Sequence, residues 1–227
     1  MNYLIVVAHP DDEVLGAGAS IPKFVANGDR VALCVMVGRA SARANLSETL
    51  KDDERAALAM LGVEKTDEAD FPNIKMNVTP HLELVQFIEN SIEDFKADAI
   101  LTHHPSDTNI DHVMTSKAAQ AASRLFQRRA GIPPLKLFMY MEVLSSTEWS
   151  FDPNATRFMP NTFIEIGQVG LSKKIEALRK YKGVMRDYPH PRSAEAIEGL
   201  AAYRGAQAGC RYAEAFECVF WRMDMTP

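Results

Sequence analysis

The 227-residue sequence contains only three cysteines, Cys34, Cys210 and Cys218. An odd number without paired spacing supports neither a disulfide framework nor a thiolate zinc site, and it suits a reducing cytoplasm. No apolar run approaches the roughly 20 residues that a spanning helix needs, so no transmembrane segment is expected. Met1 to Ala8 is too short for the apolar region of a signal peptide and has no basic start. Positive charge is also in deficit: 25 Lys and Arg against 30 Asp and Glu leave a net −5. That balance disfavours nucleic acid as a partner, because a phosphate backbone selects a basic footprint. No Gly-x-Gly-x-x-Gly follows the first apolar run, so a dinucleotide fingerprint is missing as well.

What is present reads as a globular α/β chain, 47% hydrophobic and 24% charged. Tyr3 to Ala8 is a continuous β-branched apolar run, the pattern of a parallel strand buried on both faces. Val14, Leu15, Ala17, Ile21, Phe24 and Val25 then recur at helical spacing, and Asn27-Gly28 stops them. The spacing predicts strands over Val31–Val37, Ala97–Thr102, Leu135–Glu142, Thr162–Ile166 and Ala215–Trp221. It predicts helices over Ser47–Leu61, Pro80–Phe95 and Met114–Arg129, and from about Ser172 and Ser193. Strands alternating with helices through the first half imply an open, mostly parallel sheet flanked by helices. We expect a single domain, with residues 1–132 as a core and residues 133–227 as an extension that completes the sheet and covers the substrate. Its packing on a neighbour would make a homo-oligomer.

Ligands of such sheets sit beyond the carboxyl ends of the strands. His9 to Asp12 and His103 to His112 each follow a buried strand and so share that edge. His9, Asp12 and His112 could give one zinc ion two imidazoles and a carboxylate, with a position left for water. Asp11, projecting differently from Asp12, would be available to take a proton from the attacking water. On spacing alone, the same residues read equally well as a turn and an acidic helix N-terminus.

Resemblance separates the two readings. Ala8-His9-Pro10-Asp11-Asp12-Glu13, followed by Gly16, resembles the signature of the LmbE-like, or PIG-L, zinc de-N-acetylases. Thr102 to His112 resembles the second metal motif of a bacterial branch of that family. Phe71-Pro72-Asn73, Glu142 to Trp149, Pro189 to Ser193 and Ala213 to Phe216 echo the same branch. The resemblance implies a Rossmann-like, LmbE-like fold, one Zn2+ per chain on His9, Asp12 and His112, and Asp11 as general base. It also implies hydrolysis of the N-acetyl group of an N-acetylglucosamine-type amino sugar or its conjugate.

Where some relatives carry a histidine three positions before the last ligand, this chain has Asn109. His190 is therefore the candidate proton donor or oxyanion partner. Arg192 and Arg43 are candidate substrate-gripping cations, with Asn73 a candidate for a sugar hydroxyl. Asp111 and His103 are candidates to orient the ligands from behind. A metal-dependent amidase acting on a non-sugar N-acyl amine, and a binding module without catalysis, are the alternatives.

Overall fold

The computed structural model describes residues 1–38 and 50–223. Seven strands form one sheet: β1 (Asn2–Val7), β2 (Arg30–Val35), β3 (Lys65–Glu68), β4 (Ala99–His103), β5 (Leu137–Met141), β6 (Thr162–Glu165) and β7 (Ala213–Trp221). Their spatial order is β3-β2-β1-β4-β5-β7-β6. The first five are mutually parallel, and β7 runs antiparallel to both of its neighbours. Mostly parallel pairing is thus present, with an antiparallel edge supplied by the C-terminal strands.

The helices are α1 (Asp12–Ala17), α2 (Ile21–Ala26), α3 (Leu50–Leu61), α4 (His81–Phe95), α5 (Ile110–Ala122), α6 (Gly167–Lys180) and α7 (Ala194–Ala208). Period-two alternation in β1 divides the core. Tyr3, Ile5 and Val7 pack in one layer with residues of α1, α2, α3 and α6. Leu4 and Val6 face the opposite layer, with α4 and α5. Each buried Leu, Ile or Val contributes about 1.5–3 kcal/mol by leaving water, which is why strands of this composition occupy the centre.

The helix expected over Met114–Arg129 runs over Ile110–Ala122, and two further elements depart from the pattern of the sequence. The helix expected through Ile21 breaks at Gly18–Ser20, because the N–H groups of Ala19 and Ser20 donate to the Glu214 carboxylate at 3.1 and 2.7 Å. Lys174 Nζ holds the same carboxylate at 2.6 Å and also donates to the Leu15 carbonyl. The edge strand β3, Lys-Thr-Asp-Glu, has no apolar signal and exists through its parallel pairing with β2.

Strand order reverses between β1 and β4, whose neighbours lie on opposite sides. Open α/β sheets place a crevice at such a point, outside the carboxyl ends of the strands. The turn after β1 and the loop after β4 both end there.

Candidate metal centre

The Asp12 carboxylate is the hub. Its Oδ2 accepts from the His9 N–H at 3.0 Å and lies 3.3 Å from His9 Nδ1, 3.2 Å from His112 Nε2 and 3.5 Å from His103 Nε2. Donor atoms of His9, Asp12 and His112 all lie within 4.8 Å of one another.

Both imidazoles are braced from behind. His9 Nε2 lies 3.1 Å from Asp111 Oδ2 and 3.1 Å from Asn73 Oδ1. Asp111 is fixed in turn by the N–H groups of Ile74 and Met76, at 2.6 and 3.1 Å. His112 Nδ1 lies 3.2 Å from Asp107 Oδ1. Asp107 accepts from Ser146 Oγ and, at 2.8 Å, from Thr147 Oγ1. In each ring one nitrogen is thereby oriented by a carboxylate while the other faces Asp12, the usual outer arrangement of a metal-binding histidine.

The electrostatics show what the cluster wants. Burial alone would lower both histidines, but the hydrogen bonds of His9 to Asp111 and Asp12 raise it to about 9. Asp12 and Asp107 likewise raise His112 to about 10. Burial would raise Asp12, yet His112, His9 and His103 hold it well below the usual carboxylate range. Asp107, opposed by burial but bonded to His112, lies at about 2. The buried carboxylates thus demand positive charge at the two imidazoles, which protons or a divalent cation can meet. A two-imidazole, one-carboxylate donor set suits zinc.

His103 is different. Its Nε2 accepts from the Ala8 N–H at 2.8 Å, extending the link between β1 and β4 past the last backbone pair. Burial first, and then His112, pull it down to about 3, so the ring is neutral. It stacks on His112 with ring centroids 3.9 Å apart.

A cavity of about 370 Å³ opens on this cluster. His9, Asp11, Asp12, Asn73, Asn109, His112 and Arg192 line it, with Ser145 and Ser146. Asp11 adopts φ 101° and ψ −28°, in the left-handed region that residues with a side chain seldom enter. A residue held in such a conformation costs about 1–3 kcal/mol and needs its surroundings to keep it there. Arg192 Nη1 donates to Asp11 Oδ2 at 3.0 Å, while its Nε donates to Ser145 Oγ at 2.9 Å. The carboxylate expected to stand unshared beside Asp12 is therefore ion-paired.

The structure does not bring His190 into the cavity lining. Its exposed ring accepts the Arg192 N–H at Nδ1, 3.0 Å away, and closes a turn. Asn109 caps α5 by accepting from the Asp111 N–H at 2.9 Å. Arg43, with neighbouring Arg39, lies outside the described residues. Sequence reasoning assigned nothing to Asp107, Ser146 or Thr147. Asp107 had a readable signal, since two ligand histidines require two acceptors and a second carboxylate stands five residues before His112. The hydroxyls had none.

Comparison with known proteins gives a family and a fold. The profile of the family described as PIG-L, GlcNAc-PI de-N-acetylase, matches residues 4–123, just over half of the chain. A relative from Escherichia coli K12, described as the uncharacterized deacetylase YaiS, is 24% identical over 186 residues, covering 80% of this chain and 90% of the relative. Among solved structures, the N,N'-diacetylchitobiose deacetylase of Pyrococcus horikoshii superposes with TM-score 0.76 at 18% identity, over 96% of this chain and 83% of that one. GalB, the 4-carboxy-2-hydroxymuconate hydratase of Pseudomonas putida KT2440, superposes with TM-score 0.75 at 21% identity, over 100% of both chains.

Proposed function

The chain belongs to the PIG-L family of de-N-acetylases, and from that premise we propose that it is a zinc-dependent hydrolase that removes the N-acetyl group of an N-acetylglucosamine-type amino sugar or its conjugate. The observation that carries the reading is the pairing of a buried His9–Asp12–His112 donor set with a second carboxylate, Asp11, on the wall of the same cavity. His9, Asp12 and His112 would hold the ion. The chemistry supplied by a bound divalent cation is polarisation of the acyl carbonyl and acidification of water.

The chain's own groups divide the rest of the work. Asp11 takes a proton from the attacking water, and the Arg192 guanidinium fixes the carboxylate that receives it. Water adds to the acyl carbon, the C–N bond breaks, and Asp11 returns the proton to the departing nitrogen, leaving a free amine and acetate. His190, exposed in its turn, is not needed for this transfer.

The cavity wall also supports a neutral, hydroxyl-rich substrate. Asn73, Thr108, Asn109, Ser145 and Ser146 offer amides and hydroxyls. Arg192 is the one lysine or arginine in the lining among the described residues, and it is engaged by Asp11. A second reading, hydration of an unsaturated acid, is favoured by the likeness to the P. putida hydratase, but among the described residues of the lining a polyanionic substrate would meet no lysine or arginine other than the ion-paired Arg192. Acetate release from N-acetyl amino sugars and N-acetyl amino acids, together with loss of the double bond of an unsaturated dicarboxylate by hydration, measured with zinc-loaded and metal-stripped protein, separates the readings. Activity restricted to the amino acids overturns the sugar assignment, and turnover of the unsaturated acid alone overturns hydrolysis. Asp11→Asn should keep stoichiometric zinc and lose about 10³-fold in kcat; full activity in that variant would remove Asp11 as the base.

A further inference from the structure

The strained backbone of Asp11 has a long-range support. Its N–H, at the start of α1, donates to Glu13 Oε2 at 3.1 Å. Glu13 is fully buried, and its other oxygen, Oε1, accepts from Tyr181 Oη at 2.6 Å. Tyr181 is 1% exposed and stands 168 residues later in the chain, at the end of α6. A three-member strut thus runs from the C-terminal region through Glu13 to the amide of Asp11. Without Glu13 the amide would be a buried donor lacking this acceptor, and the turn would lose the bond that opposes its strain. From the cavity side, Arg192 fixes the same residue through its carboxylate.

We propose that Tyr181 is a positioning residue for Asp11: through Glu13 it holds the Asp11 backbone at positive φ, and so aims the Asp11 carboxylate into the cavity. Packing alone does not account for this tyrosine. Phenylalanine would fill the same apolar space in the core, so the hydroxyl is what ties this side chain to Glu13 and the turn at Asp11. The inference rests on the reading of Asp11 as general base.

The test is Tyr181→Phe in the full, zinc-loaded chain, assayed on an N-acetyl amino sugar that the parent protein hydrolyses. The expected result is about a tenfold fall in kcat, with KM and zinc content unchanged, since small displacements of a reacting group cost rate rather than binding. Placed in an Asp11→Asn background, Tyr181→Phe should cost nothing further, because its effect runs through Asp11. Unchanged kcat, or an equal loss in both backgrounds, overturns the proposal. Should the phenylalanine variant not fold, Glu13→Gln alters the strut at its middle and is read in the same cycle. If the parent protein hydrolyses no N-acyl sugar, the deacetylase reading fails first. The strut is then judged by a crystal structure of Tyr181→Phe: Asp11 leaving positive φ or its Arg192 contact upholds it, and an unmoved Asp11 overturns it.

Discussion

His9, Asp11 and Asp12 enter the site within four residues of one another, directly after a buried strand. Arg192 meets Asp11 from 181 residues away. The N-terminal region supplies the candidate donor set from the turn after β1, the start of α1 and the first turn of α5. The C-terminal region supplies what steadies it: Ser146 and Thr147 on Asp107, Arg192 on the Asp11 carboxylate, and Tyr181 on Glu13. One region can bind an ion; the other decides how its neighbouring groups are held. On the function proposed above, metal binding and the positioning of Asp11 are separable, and substitutions should divide accordingly.

The largest expected effect is that of His112→Ala. It should abolish stoichiometric zinc and activity together, as measured by metal analysis and acetate release, because a ligand is lost and Asp107 and Asp12 are left without their imidazole. Arg192→Ala should do the opposite: zinc stays, and kcat falls by about 10–100-fold through a less well placed Asp11. Zinc loss in Arg192→Ala would break the division between the two regions. Asp107→Asn lies on the boundary. It should weaken zinc binding by about 10–100-fold in a competition titration, the usual effect of removing a group that orients a ligand.

The pH dependence of the metal-free protein sharpens the comparison with the smallest effect. His112 and His9 are raised from the ordinary 6.5 to about 10 and about 9, so their contribution to stability is complete below about 6.5 and is lost as pH rises through 9 to 10. Asp107 is lowered to about 2 from 3.8, so its contribution is present above about 4 and is lost as pH falls toward 2. The thermal midpoint without metal should therefore decline on both sides of neutrality. Zinc should reverse the alkaline decline, because it takes the imidazoles deprotonated and its binding releases their protons. A midpoint that rises from pH 7 to pH 9 without metal would contradict the buried charge balance.

Much of the N-terminal region was legible because its signals are local. The apolar runs of β1 and β4 reveal buried strands, and the polar residues that follow them lie at one edge by parallel topology. β3 was not legible, since Lys65 to Glu68 carries no apolar alternation and is held by backbone pairing with β2. The break between α1 and α2 was hidden for a related reason: Glu214, almost 200 positions away, takes the amides of Ala19 and Ser20.

By itself, the sequence determined the mostly parallel α/β architecture, because strand burial is a short-range property, and the resemblance of two of its motifs to the LmbE-like family singled out the candidate donors His9, Asp12 and His112. Only the tertiary structure decided that Asp11 is ion-paired to Arg192 and set at positive φ above Glu13 and Tyr181, and that His190 stands outside the cavity lining. Those contacts join residues with no fixed separation along the chain. They depend on how loops and helix ends close over the sheet, which no local pattern encodes.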